Sequence, residues 1–266
     1  TPGAVGPWTR QLTLVDYPHI EPTPLYREAR IRVERFPVRV DGDRRVGYVM
    51  GSGDAVPDAI RQLGLEVETI GPERLRSGSL GGLDVVVLGV RAYEVRDDLR
   101  AANARLLGWV REGGPLLVQY NKYPFVEGDF APYRATMARP HDRVTDETAE
   151  VELLRPDAPP LASPNWISGR DFRGWIQERG LYFLHEWGDA FTPLLAMSDP
   201  GEDPKRGSLL VAPLGEGLYV YTGLAFFRQL PAGVPGAYRL FANLLSLEPA
   251  EWSCAVASCS GVKLLT

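Results

Sequence analysis

Apolar and polar positions follow a repeating order over residues 44–123. Arg45-Val46-Gly47-Tyr48-Val49-Met50 is a short apolar run, and Gly51-Ser52-Gly53-Asp54 breaks it at once. Val56, Ile60 and Leu63 then fall on one face of a helix that Gly64 closes. Leu65-Glu66-Val67-Glu68-Thr69-Ile70 alternates, as a strand at the side of a sheet does. Residues 83–90 are almost continuously apolar, which fits a central strand covered on both faces. Residues 97–111 place Leu99, Ala102, Leu106, Leu107 and Val110 at helical spacing and end at Gly113-Gly114. Leu116-Leu117-Val118-Gln119-Tyr120-Asn121 completes the set. Strands alternating with helices predict a parallel α/β sheet with helices on its faces. Ligands of such sheets sit in the crevice at the carboxyl ends of the strands.

The flanks are less regular. Residues 10–20 and 29–40 alternate like strands, with Ile31 and Val33 on one side and charges on the other. Pro18, Pro22 and Pro24 between them predict a stiff spacer without an element. Residues 1–43 are therefore expected to form a small β appendage, or the end of an upstream β domain. After Asn121 the pattern loosens, with strand-like runs at residues 150–154, 193–197, 209–213 and 218–223. Residues 167–184 read as a short helix or turn followed by an aromatic strand, and Gly215-Glu216-Gly217 predicts a hairpin. Residues 235–247 form an amphipathic helix with Tyr238, Phe241, Leu244 and Leu245 inward. The α/β domain is expected to span 44–247. Residues 248–266 lack a sustained period and differ in composition, which predicts an irregular tail, consistent with a read-through or frame-shifted end.

Composition narrows the partners. The 266 residues are 44% hydrophobic and 24% charged, ordinary for a globular protein. Lys and Arg number 29 against 34 Asp and Glu, a formal charge of -5 that argues against a nucleic-acid or anionic-membrane partner. The apolar runs are strand length, so no membrane span is expected. The start, Thr1-Pro2-Gly3, carries neither an initiator Met nor a signal-peptide pattern and reads as a cut inside a longer polypeptide. The two cysteines, Cys254 and Cys259, lie near the end, so the compartment is left open, secreted or periplasmic included. Their spacing suits no common zinc site.

Candidate site residues gather where strands end. Gly51-Ser52-Gly53-Asp54 opens a helix, where backbone N–H groups hold anions, so Ser52 and Asp54 are candidates. The competing reading makes Asp54 a helix cap. Arg91 and Tyr93 follow the central strand and offer a fork and an aromatic face for a sugar or carboxylate. Alternatively Arg91 pairs with Glu94 or Asp97 and holds the loop. Gln119 and Asn121 are polar ends of an apolar strand, and Asn121 also suits a turn closed by its own side chain. Glu178 precedes the aromatic strand, where an internal ion pair with Arg179 competes with a site role. Arg228, in Phe226-Phe227-Arg228-Gln229, and Tyr238 lie after the last strand and would wall the crevice.

The strand order, with residues 46–54, 83–96 and 113–121 as landmarks, resembles the class I glutamine-amidotransferase-like domain, a flavodoxin-like fold. Val46-Gly47-Tyr48-Val49-Met50-Gly51-Ser52-Gly53-Asp54, Val90-Arg91-Ala92-Tyr93, Val118-Gln119-Tyr120-Asn121, Gln177-Glu178-Arg179-Gly180-Leu181-Tyr182-Phe183 and Tyr221-Thr222-Gly223-Leu224-Ala225-Phe226-Phe227-Arg228-Gln229 resemble, more closely, the C-terminal module of bacterial PIG-L (LmbE-like) deacetylases. That family implies zinc-dependent hydrolysis of N-acetyl groups on sugar-like substrates, through a His-Pro-Asp-Asp motif and a distant His. Here none of His19, His141 and His185 precedes Pro-Asp-Asp, and Asp189 stands where H-E-x-x-H needs its second His. The amidotransferase nucleophile is missing too, since Gln119-Tyr120-Asn121-Lys122 occupies the turn that would carry a Cys. The resemblance thus implies a non-catalytic accessory or glycan-binding module, with no cofactor in this chain. Zinc and catalysis would belong to an upstream deacetylase domain of the same polypeptide, its expected partner, with a glycan or glycoconjugate as ligand. Two alternatives stay open. One is a hydrolase working through Asp54, Glu178 or Asp171 as raised-pKa carboxylates, and the other is a structural dimerisation domain.

Overall fold

Val85-Val86-Val87-Leu88 is fully buried, and the chain is arranged around it. The computed structural model describes residues 9–30 and 33–260. Residues up to Phe36 and those from Pro37 onward form two separate units.

In the first unit, β1 (Arg10–Val15) and β2 (Thr23–Glu28) pair antiparallel, Arg10 opposite Glu28. The second strand falls on the stretch read as a spacer, and Pro24 sits inside it. Among the described residues of 29–40 the expected strand does not form. Val33 is 82% exposed there, and Ile31 lies outside the described residues.

The second unit begins with β3 (Arg45–Val49), α1 (Val56–Gln62), β4 (Glu66–Thr69), α2 (Pro72–Arg76) and β5 (Val85–Leu88). It continues with α3 (Ala92–Val95), α4 (Asp97–Arg111), β6 (Pro115–Gln119), α5 (Tyr123–Glu127), β7 (Asp142–Val144) and β8 (Val151–Leu153). Then come α6 (Pro159–Ala162), a 3-10 turn (Gly169–Phe172), β9 (Gly180–Phe183), β10 (Thr192–Pro193) and β11 (Leu195–Met197). The chain closes with β12 (Leu209–Leu214), β13 (Gly217–Thr222), α7 (Phe226–Gln229), α8 (Pro235–Leu245) and α9 (Pro249–Ser260).

The central sheet has the order β10-β12-β13-β6-β5-β3-β4. From β4 through β13 all neighbours are parallel, which is the 2-1-3-4-5 order of the flavodoxin-like class. This is the parallel α/β sheet, flavodoxin-like in its order, that the strand pattern predicts. β12 folds back antiparallel on β13 through the Gly215–Glu216 hairpin, and β10 adds a short edge. Only part of the pairing expected of residues 193–197 forms, because β11 leaves the sheet and joins β8.

Burial explains the order. β5, β6 and β13 are buried along their whole length, whereas edge strand β4 carries two exposed glutamates. Gly47 lies between Ile70 and Leu83, and a Cβ there would come within 2.7 Å of both. α8 buries Tyr238, Phe241, Leu244 and Leu245, as its period predicts. α9 departs from expectation: helix, not irregular chain, follows residue 248, and Trp252 anchors it at 2% exposure.

Candidate functional site

The sheet's topological switch point lies between β3 and β5. It is closed by backbone contacts. A Cβ on Gly51 would stand 2.0 Å from the Val90 carbonyl oxygen, so only glycine fits. The Ser52 N–H donates to that carbonyl at 2.9 Å, and Gly89 N–H to Val49 at 2.8 Å. The Ser52 N–H, offered as an anion donor on sequence grounds, is therefore committed to the neighbouring loop. Asp54 is equally engaged: one oxygen accepts the Tyr48 hydroxyl at 2.7 Å and the Val56 N–H at 3.0 Å, the other the Val90 N–H at 3.3 Å. It secures the start of α1 from one position ahead of the N-cap.

Four further candidates are core groups. Tyr93 does not face the crevice: it is fully buried, donates its hydroxyl to Asn103 at 2.6 Å and stacks on Phe130. Asn121 accepts the Tyr93 N–H and donates to the Gln119 carbonyl, both at 2.9 Å. Gln119 Nε2 donates to Tyr48 at 3.1 Å, while its buried Oε1 has no partner. Tyr238 donates to Gln62 on α1.

A different group gathers beyond the carboxyl ends of β5, β6 and β13. Arg91 follows β5 with φ 59°, and its N–H donates to the Tyr120 carbonyl at 2.8 Å. Its guanidinium grips Glu94 in a two-point pair, with Nε–Oε2 at 2.8 Å. That pair, together with Lys122 at 3.8 Å, holds the Glu94 carboxyl below its ordinary range despite partial burial. Tyr120, which follows β6, is 8% exposed, stacks on Tyr182 at 5.8 Å between centroids and tilts against Phe227 at 5.4 Å. Tyr182 is brought here by a close approach of β9 to the end of β13, where a Cβ on Gly180 would lie 2.2 Å from the Gly223 carbonyl oxygen. Its backbone is left-handed, φ 51°, and its carbonyl accepts the Tyr221 hydroxyl at 2.7 Å.

His141 lies parallel to Tyr182, 3.8 Å between centroids, and Tyr123 meets Tyr182 edge-on. Burial, then the nearby Arg143, pushes the His141 pKa down, so its imidazole is neutral at pH 7. Burial raises both Tyr120 and Tyr182, which remain protonated. On the far side, Arg228 Nε donates to Glu178 at 2.6 Å and its guanidinium lies over Phe227. Glu178 thus pairs with Arg228, correcting the expected bond to Arg179. Arg179, 3% exposed, instead donates to the Ala149 and Phe172 carbonyls. Gln177, between Glu147 and Arg228, is also left-handed at φ 70°.

Of the nine residues proposed from sequence, the structure brings Arg91, Glu178 and Arg228 to this group. Tyr120, Lys122, His141, Tyr182 and Phe227 complete it. Tyr120 had a signal, a polar residue directly after an apolar strand. Tyr182 had none, because its place depends on a left-handed backbone and a pairing distant in sequence.

The residue in the elbow turn is a phenol whose pKa is raised, a poor nucleophile. Asp54, Asp171 and Glu178 are each engaged by structural partners; Asp171 closes a capping box with Ser168 and pairs with Arg239 at 2.9 Å. His185 Nδ1 lies 2.7 Å from Asp142, a base pair of the kind hydrolases use, but among the described residues no hydroxyl or thiol bonds to it. No group of three or more His, Cys, Asp or Glu among the described residues is placed to hold a metal.

No family model matches the sequence, and no curated protein matches it. Solved structures do. A cytoplasmic protein of Salmonella typhimurium is 14% identical over 89% of this chain and 94% of its own, with TM-score 0.48. A ThuA-like protein of Bacteroides uniformis is 9% identical over 81% of this chain and 98% of its own, with TM-score 0.49. A β-galactosidase of Rahnella sp. R3 is 17% identical over 84% of this chain and 32% of its own, with TM-score 0.44.

Proposed function

We propose that this chain is a non-catalytic, glycan-binding accessory module that works beside a PIG-L-type zinc-dependent N-acetyl-sugar deacetylase domain of the same polypeptide. The observation that carries the binding role is the group of Arg91, Tyr120, Lys122, Tyr182 and Arg228 beyond the strand ends. Three non-glycine residues there, Arg91, Gln177 and Tyr182, hold left-handed backbone. Such conformations cost about 1–3 kcal/mol each and persist where a site over-determines them. The association with a deacetylase rests on the resemblance of the strand-end phrases to that family's C-terminal module. A non-catalytic role is supported by a protonated phenol in the turn that carries the amidotransferase thiol.

Two measurements test the reading. Titration with N-acetylglucosamine oligosaccharides, followed by amide NMR shifts, should perturb Arg91, Tyr120 and Tyr182. The same chain should leave p-nitrophenyl acetate and N-acetylglucosamine unhydrolysed above background. Turnover abolished by Tyr120→Phe would overturn it.

A further inference from the structure

Tyr182 already stacks on two rings. His141 lies over it at 3.8 Å, nearly parallel, and Tyr120 stacks at 5.8 Å with an interplanar angle of 11°. A sugar lying on Tyr182 would have to compete with these rings, so edges and polar groups are the contacts left to it. Among the described residues the hydroxyls of Tyr120, Tyr123 and Tyr182 make no hydrogen bond, although the Tyr120 ring is nearly buried. Lys122 is held only by a long ion pair, 3.8 Å from Glu94. Arg91 and Arg228 both lie close enough to the Tyr120 phenol to oppose the rise that burial imposes on its pKa. Within the ion pairs of this group three cations (Arg91, Lys122, Arg228) thus share two carboxylates, Glu94 and Glu178. Donors outnumber acceptors, and an anion is the ligand group that satisfies them.

We infer that the strand-end site takes an acidic sugar, its carboxylate or phosphate held by Lys122, Arg91 and the Tyr120 and Tyr182 hydroxyls. The inference rests on the glycan-binding reading above and narrows its ligand class. Glu94 acts as the internal stand-in, occupying the Arg91 fork until a ligand anion shares it.

The test is calorimetric titration of the full chain with glucuronate, glucose 6-phosphate, inorganic phosphate and N-acetylglucosamine at low and high salt. A charge-assisted contact predicts that an acidic sugar binds about ten-fold more tightly than N-acetylglucosamine, an advantage that salt erodes. Lys122→Met should remove that advantage, and Glu94→Gln, which frees Arg91, should enlarge it. A purely structural Glu94 would lower affinity for every ligand alike. Glucuronate against glucose 6-phosphate separates the two anion sources. Equal affinity for acidic and neutral sugars overturns the inference and leaves the glycan reading standing. Inorganic phosphate binding as tightly as either acidic sugar supports the anion pocket and removes the glycan reading. No binding by any of the four overturns both.

Discussion

Asn121 shows how a residue that sequence marks for a site can serve the fold. Its side chain joins Tyr93 N–H to the Gln119 carbonyl across the strand ends, with no exposure. Asn121→Ala would strand both groups and is expected to lower stability by about 1–3 kcal/mol, read by urea unfolding. His141 makes the pH dependence specific. Its folded pKa is depressed, by burial first and Arg143 and Lys122 after it, with Asp142 opposing. The unfolded chain then binds the proton more readily than the folded one. The contribution is intact above the ordinary value of 6.5 and is lost as pH falls below it. Thermal melts from pH 8 to pH 5 should show this loss, and His141→Phe should flatten it while keeping a ring against Tyr182. At this scale Asp54 and Gly51 were legible, since a capping carboxylate and a glycine turn have local signatures. Tyr182 and His141 were not, because their stack joins segments forty residues apart.

Among elements, legibility followed burial and period. α4 runs over the residues its spacing predicts, because Leu99, Leu106 and Val110 form one stripe and Gly113 ends it. β3, β5 and β6 read clearly as short apolar runs between glycine-rich breaks. β2 did not, since Pro24 obscures a strand whose residues are all exposed. α9 escaped for another reason: its sequence shows no sustained apolar period. Phe241 tests the α8 contact, fully buried against Phe226 at 5.2 Å between centroids. Phe241→Ala should cost about 3–5 kcal/mol, measured by denaturant unfolding, without altering ligand affinity at the strand ends.

On the scale of the molecule, every buried hydrophobic residue described belongs to the chain from Val46 onward. A fragment beginning at Pro37 is therefore expected to fold with a melting temperature within a few degrees of the full chain, and a large drop would show that the first unit supplies core. The parallel order was readable from strand and helix alternation. The antiparallel return of β12 and the departure of β11 to pair with β8 were not, because antiparallel partners are chosen by long-range packing rather than by local period.

The twisted backbone at Arg91, Gln177 and Tyr182 carries a trade-off for anyone redesigning this molecule. Glycine at those three places would relax the chain and give a sturdier protein. It would also delete a guanidinium, an amide and a ring, so gains in heat resistance and gains in recognition should run in opposite directions across a library of such variants.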